Sequence, residues 1–309
     1  MGRGSRVAII GAGSVGSSIA FALLLQKISS EILLVDVVPE AVEGQVLDLS
    51  DANFISSTQV RGGTFQEAGQ CDIVVITAGA KQKSGETRVE LIERNYKILN
   101  NVIGSMKPFN PNLILLIVAN PVDILTRIAQ KLSGLPERQV FGSGTFLDSS
   151  RLRLKLASVL GVIIWIFGIA ENAIHSYVLG EHGDSQIIAW SSAHAGGKPL
   201  LDFPEIQKLD KESVAKEIAS KAYKIIELKG ATYFGIAGCV SMLIHCIVLN
   251  QRHIRPLSTY IKEYDCVFSM PVVLGSNGIE RIIDISLSEE EKNKLRRSAS
   301  ALKSICAKY

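Results

Sequence analysis

The chain has 309 residues, 47% hydrophobic and 20% charged, enough to bury one large core or two modest domains that share an interface. Lys and Arg total 33 against 30 Asp and Glu, a net charge of +3, with no basic block or RNA-reading signature, which argues against a nucleic-acid partner. The five cysteines (Cys71, Cys239, Cys246, Cys266 and Cys306) are odd in number and nowhere spaced CxxC, which argues against a disulfide framework or a metal site and for a reducing, cytoplasmic setting.

From the N-terminus, MGRGSRVAII runs straight into a strand-like segment and leaves no room for a signal peptide. Short β-branched runs at 6–10, 32–35, 72–78, 113–119 and 140–142 predict strands, and helix-period segments at 15–27, 39–51, 88–106 and 122–132 lie between them. Apolar runs without alternation suit strands covered by helices on both faces, so the first half predicts an α/β, doubly wound parallel sheet of Rossmann-like type. The second half predicts a mixed α+β unit. It has a helix from about 147, a strand at 174–179, a long helical region at 211–250, strands at 255–264, 267–274 and 279–285, and a last helix opened by Ser286 or Ser288 with Glu289, Glu290 and Glu291 in its first turn. The boundary is expected near residue 144, dividing 1–144 from 145–309.

Two segments invite membrane readings that their chemistry disfavours. The apolar stretch 156–170, LASVLGVIIWIFGIA, falls short of the roughly 20 residues a spanning helix needs and contains Gly161 and Gly168, so it reads as buried or interface packing. The tail Cys306-Ala-Lys-Tyr only superficially resembles a prenylation box, because Lys308 is not aliphatic and Tyr309 is an unusual last residue.

Gly11-Ala-Gly13-Ser14-Val15-Gly16 follows the first predicted strand and opens the first helix. Gly11 permits the tight turn, Gly13 lets backbone approach a pyrophosphate, and Gly16 allows close helix–strand packing. The N–H groups at the helix start, around Ser14 and Val15, then face the phosphates. Asp36 closes the second strand twenty residues past Gly16. A carboxylate there accepts hydrogen bonds from ribose hydroxyls and repels a 2′-phosphate, which favours NAD over NADP.

Four further segments hold polar residues at loop or element ends. Gly79-Ala-Lys-Gln-Lys-Ser-Gly-Glu-Thr-Arg88 is a polar loop of the kind that forms a lid, and Asn120-Pro-Val-Asp123 ends a strand. Asp148-Ser-Ser-Arg151 starts a helix, and Gly180-Glu-His-Gly-Asp184 sets a histidine in a tight turn. Together with GAGSVG, VDV, GSGTFLD and KGAT, these segments strongly resemble the L-lactate/malate dehydrogenase family, and within it the lactate dehydrogenases of bacterial and fungal type, from Arg6 to about Ile305 with one insertion.

That resemblance implies roles that the chemistry makes intelligible. Reduction of a 2-oxo acid by NADH needs a proton donor, a group that polarises the carbonyl, and a carboxylate anchor. His182 matches the acid/base, Asp148 the partner that holds one ring nitrogen, and Arg151 the bidentate carboxylate clamp. Arg88 would stabilise charge on the carbonyl oxygen after lid closure, Asn120 would hydrogen-bond near it, and Thr232 would line the substrate side-chain pocket. Gln82 stands six residues before Arg88, where malate enzymes carry Arg, so pyruvate rather than oxaloacetate is the expected substrate. His194, His245 and His253 read as structural.

The resemblance also implies a homotetramer, and it sets Arg153 and His175 where allosteric members hold fructose 1,6-bisphosphate. Between Arg151 and His175 the chain is about seven residues longer than its relatives, with the excess within 162–169; an interface loop, a membrane-touching element and an aberrant segment all remain open. A malate-type dehydrogenase and a non-catalytic relative that keeps the fold are the alternatives. Gln82 argues against the first, and the intact set His182, Asp148, Arg151 and Arg88 against the second.

Overall fold

A computed structural model describes residues 4–80, 87–161 and 169–309. In chain order the elements are β1 (Arg6–Ile10), α1 (Ser14–Gln26), β2 (Glu31–Val35), α2 (Pro39–Asp51), β3 (Gln59–Gly62), α3 (Phe65–Gly69), β4 (Ile73–Ile76), α4 (Arg88–Met106), β5 (Ile114–Ile117), α5 (Val122–Ser133) and β6 (Val140–Gly142). There follow α6 (Phe146–Leu160), β7 (Ile174–His175), β8 (Val178–Leu179), β9 (Ile187–Ile188), β10 (His194–Ala195), β11 (Lys198–Pro199), α7 (Pro204–Gln207), α8 (Lys211–Lys229), α9 (Phe234–Val248), β12 (His253–Ile261), β13 (Cys266–Gly275), β14 (Gly278–Ile282) and α10 (Glu289–Cys306).

The main sheet runs β14-β13-β12-β6-β5-β4-β1-β2-β3. Its six strands from β3 to β6 pair in parallel, giving the Rossmann order 3-2-1-4-5-6. Adjacent residues of each central strand point to opposite faces, and both faces are covered. Ala8, Ile10, Val74 and Ile76 pack with α4, α5 and α10, whereas Val7, Ile9, Ile73 and Val75 pack with α1 and α9. Burial on both sides is why these strands read as unbroken apolar runs. A smaller cluster, with Leu152, Leu156, Val214 and Ile218, lies among α6, α7 and α8.

The expected division near residue 144 falls between β6 and α6, yet the sheet continues across it. β12 joins antiparallel to β6 through Ser258 and Gly142, and β13 and β14 extend the hairpin. The second half also departs from expectation in two places. The segment read as one strand at 174–179 is two, because β7 pairs with β10 while β8 turns away to pair with β9. The helical region at 211–250 breaks at Gly230, whose φ of +82° ends α8 in the left-handed conformation. Six elements went unread. β3 is an edge strand with only Val60 buried, and α3 is a five-residue helix opened by a Thr64–Glu67 capping box. β9, β10, β11 and α7 are two to four residues long, too short for periodicity to show. Among the described residues no helix is long and apolar enough to cross a membrane.

Gly142 is the joint between the two halves of the sheet. A Cβ there would lie 2.5 Å from Thr126 Oγ1, 2.7 Å from Val122 Cγ2 and 2.9 Å from Ser258 Cβ. Gly142→Ala is therefore expected to destabilise the fold by about 1–3 kcal/mol through overpacking, measurable in denaturant unfolding; an unchanged midpoint would show that the joint has slack.

Candidate active site

The cofactor-type motif sits at the carboxyl edge of the parallel strands. Gly11 leaves β1 at φ +109°, and a Cβ there would meet Thr77 Oγ1 at 2.6 Å. Gly16 lies on the backbone of the same turn, since its Cβ would fall 1.9 Å from the Gly11 carbonyl oxygen. Gly13 differs from both, because a Cβ would meet nothing within 4 Å. The open space lies directly above the start of α1, where Ser14 and Val15 are the first helical residues, no side chain caps the end, and no acid stands in the first turn. Such an end is suited to a phosphate. Asp36, after β2, accepts hydrogen bonds from the backbone N–H of Ala12 at 2.7 Å and of Val38 at 3.2 Å, which fixes its carboxylate beside the glycine turn. The residues thus fit a dinucleotide: glycine backbone and a bare helix end for the pyrophosphate, a carboxylate for a ribose.

Gly79 follows β4 and packs against Ala119, which precedes Asn120 after β5. The two loops are tied by a residue the sequence reading passed over. Asn95 of α4, 1% exposed, accepts from Ala80 N–H at 2.7 Å and donates to the Asn120 carbonyl at 3.1 Å. Gln82 lies outside the described residues. Arg88 is the first residue of α4, whose start carries a Thr87–Glu90 capping box; its side chain lies outside what is described.

The second half builds a charged triad around α6. Asp148 stands in the first turn of this helix and is 2% exposed. Its Oδ2 is 2.7 Å from His182 Nδ1, and its Oδ1 accepts from Arg151 Nη1 at 3.1 Å, one turn along the same helix. Hydroxyl groups set the spacing. Thr145 donates to the Val178 carbonyl and Ser149 accepts from Val178 N–H at 2.8 Å, stitching the start of α6 to β8. Just beyond β8, Gly180 exchanges two backbone hydrogen bonds with Ser269 of β13, at 3.0 and 2.9 Å, and turns at φ +83°. The His182 turn is thereby clamped between α6 and β13.

Electrostatics follow from this packing. Burial alone would lower the His182 pKa, but the charge of Asp148 and its hydrogen bond outweigh that, and the imidazole is pushed above its ordinary value of 6.5. Burial would likewise raise Asp148, yet His182 and Arg151 hold its carboxyl below the usual range. Thr232 lies in the turn between α8 and α9; Gly235, three residues on, packs against Leu147 beside Asp148. Asp123 and Ser258, also given no role in the sequence reading, stand behind His182. The His182 N–H donates to Asp123 Oδ2 at 2.8 Å, and the Ser258 hydroxyl donates to Oδ1.

Arg153 and His175 lie near one another, and among the described residues neither shares a hydrogen bond with the Asp148 cluster. Arg153 Nε donates to the Ser176 carbonyl at 3.1 Å and its guanidinium lies 5.3 Å from the Tyr177 ring centre. Exposed His175 stacks on His194 with ring centres 5.0 Å apart. Burial, with His194 and Arg153 nearby, pushes His175 below its ordinary pKa. The apolar insertion 162–169 lies outside the described residues except for Ile169, which packs on the smaller core cluster.

The Asp148–His182 pair carries a pH signature in stability. A raised His182 pKa contributes stability that is complete below about pH 6.5 and is lost as pH rises through the folded-state value. Asp148→Asn is expected to lower unfolding free energy most near pH 6, with the gap to wild type narrowing toward pH 9 to the part that comes from the loss of the Arg151 pair. The gap narrows by about 1.4 kcal/mol for each pH unit by which Asp148 raises His182. Unfolding curves at both pH values check this, and a gap that widened with pH would contradict the assignment.

Comparison with known proteins agrees with this geometry. The family model described as lactate/malate dehydrogenase, NAD binding domain, matches residues 5–142, and that described as lactate/malate dehydrogenase, alpha/beta C-terminal domain, matches 145–309. L-lactate dehydrogenase A of Rhizopus oryzae is 53% identical over 301 residues, 97% of this chain and 92% of the relative. L-lactate dehydrogenase 1 of Clostridium acetobutylicum is 41% identical over 98% of each chain. Among solved structures, a lactate dehydrogenase from a Medee basin deep-sea metagenome library superposes with a TM-score of 0.92 at 34% identity, covering 99% of this chain and 100% of that one. A glycine cradle for a dinucleotide on one side of the sheet edge, a shared His–Asp–Arg cluster on the other, and these matches along the whole chain lead to one conclusion: the chain belongs to the lactate/malate dehydrogenase family.

Proposed function

We propose that the chain is an L-lactate dehydrogenase that transfers a hydride reversibly between NADH and pyruvate, giving (S)-lactate and NAD. The observation that carries this reading is the buried cluster in which Asp148 holds both His182 and Arg151. When bound, the nicotinamide supplies the hydride; the glycine turn of Gly11, Gly13 and Gly16, the helix start at Ser14 and Val15, Asp36, Gly79 and Asn120 would hold the cofactor. His182 donates its proton to the carbonyl oxygen that becomes the lactate hydroxyl. Asp148 keeps the imidazole oriented and protonated until then. Arg151 spends one of its N–H donors on Asp148 and turns the rest of its planar fork to the substrate carboxylate. Arg88 and Asn120 stabilise negative charge on the carbonyl oxygen, Thr232 bounds the methyl pocket, and Gln82 leaves no cation for a second carboxylate. The division near residue 144 then separates a cofactor-holding half from a substrate-holding half.

We further propose that the enzyme is a cytoplasmic homotetramer serving fermentative glycolysis, and that Arg153 and His175 receive fructose 1,6-bisphosphate. The support for the effector reading is a largely buried guanidinium that, among the described residues, forms no ion pair with a carboxylate, beside an exposed histidine whose proton a phosphate would stabilise.

The test is NADH oxidation followed by absorbance with pyruvate and with oxaloacetate, each with and without fructose 1,6-bisphosphate. Faster turnover of pyruvate and activation by the effector are expected; preference for oxaloacetate would overturn the substrate assignment. Gln82→Arg should shift the oxaloacetate-to-pyruvate ratio of kcat/KM upward by at least about 100-fold, because the second carboxylate gains an ionic partner. An unchanged ratio would put Gln82 outside the pocket.

A further inference from the structure

The segment Asn120-Pro-Val-Asp123 carries two polar side chains, and the function proposed above uses only the first. Asp123 stands in the first turn of α5 and is 2% exposed. A carboxylate removed from water is costly unless hydrogen bonds or charge compensate it. Here Oδ2 accepts from the backbone N–H of His182 at 2.8 Å, and Oδ1 accepts from the hydroxyl of Ser258, which is itself fully buried on β12. One carboxylate thus joins the loop that carries Asn120, the turn that carries His182 and the strand that extends the sheet beyond β6.

We propose that Asp123 is a positioning residue of the hydride-transfer site, fixing the backbone of the His182 turn and supplying a second negative charge beside the imidazole that favours its protonated form. This inference rests on the reading of His182 as the proton donor.

The surrounding charges explain why a second carboxylate is useful. His182 is faced by Asp148 and Arg151 from α6 and by Asp123 from α5. Asp148 divides its charge between the imidazole and the Arg151 guanidinium, and Arg151 itself opposes protonation of His182. Asp123 adds negative charge to offset that opposition. The groups facing Asp123 from the other elements do not cancel its charge. Ser258 is neutral, Glu181 repels it, and burial pushes the Cys266 thiol of β13 up to about 12 and raises Cys306 of α10, so both thiols stay neutral. Burial raises Asp123 to about 6, against the pull of Ser258 and His182, so the carboxylate is charged from neutral pH upward, the range in which His182 would otherwise lose its proton. The expected consequence is a wider alkaline range for pyruvate reduction.

The experiment is the pH dependence of kcat/KM for pyruvate between pH 5.5 and 9 in wild type, Asp123→Asn and Ser258→Ala, with the NADH Kd by fluorescence and the Tm of each. Asn is close to Asp in shape and keeps an oxygen for the His182 N–H. Asp123→Asn should match wild type near pH 5.5, where Asp123 is already protonated. Its alkaline fall should come earlier by about half a pH unit, a roughly three-fold lower kcat/KM at pH 8, with NADH Kd unchanged. Ser258→Ala removes a hydrogen bond from the same carboxylate but leaves its charge, so its Tm should fall while its alkaline limb at pH 8 and above follows wild type. An unmoved limb in Asp123→Asn, equal movement in both variants, or failure of Asp123→Asn to fold would make Asp123 a structural tie and overturn the proposal. Wild type that does not turn over pyruvate would instead remove the hydride-transfer reading on which it rests.

Discussion

A carboxylate withdrawn from water must be matched by positive charge or by hydrogen bonds, and in this fold Asp148 is matched by both at once. Its two oxygens go to different partners, the imidazole of His182 and the guanidinium of Arg151. Neither partner is placed by Asp148 alone. The helix start that carries Asp148 is fastened to β8 through Thr145 and Ser149, and the turn that carries His182 is fastened to β13 through Gly180. Removing the carboxylate would leave a buried guanidinium and a neutral imidazole facing each other, which is why the charge pattern and the packing of this half depend on one another.

The other half of the site follows from a different constraint. Parallel strands buried on both faces leave ligands only the carboxyl edge of the sheet, and the chain leaves that edge through glycines where backbone must pass close to backbone. Gly11 and Gly16 are needed for the turn itself, whereas Gly13 keeps space open in front of a bare helix end. The two halves are brought into register by β12, which takes the sheet across from β6 and carries Ser258 to the back of the His182 turn. Asn95 does the corresponding work between the loops after β4 and β5.

What could be read from the sequence divides along the same physical line. Local rules suffice for the central strands, whose two-sided burial gives continuous apolar runs, and for Gly11, Gly13, Gly16 and Asp36, whose spacing is set within one strand–turn–helix unit. The pairing of His182 with Asp148 crosses 34 residues and was legible only through the family resemblance of DSSR and GEHGD. Thr145, Ser149, Asn95, Asp123 and Ser258 were given no role because a buried hydroxyl, amide or carboxylate has no periodic signature. Its partner lies in another segment, 135 residues away for Asp123 and Ser258. The strand at 174–179 was misread for a similar reason: local propensity sees a β run but not the change of partner from β10 to β9. The break between α8 and α9 had a signal, Lys229-Gly230, that the reading used as a family motif rather than as a helix stop.

The central claim is that Asp148 holds His182 in its charged form before any substrate arrives. The direct measurement is an NMR titration of the histidine rings in the free protein, with the His182 resonance assigned by its loss in His182→Gln. The account predicts that His182 titrates above the ordinary imidazole value of 6.5 and falls toward or below it in Asp148→Asn. A His182 that titrates at or below 6.5 in the wild-type protein would contradict the account, because the buried carboxylate would then be orienting the ring without holding its proton.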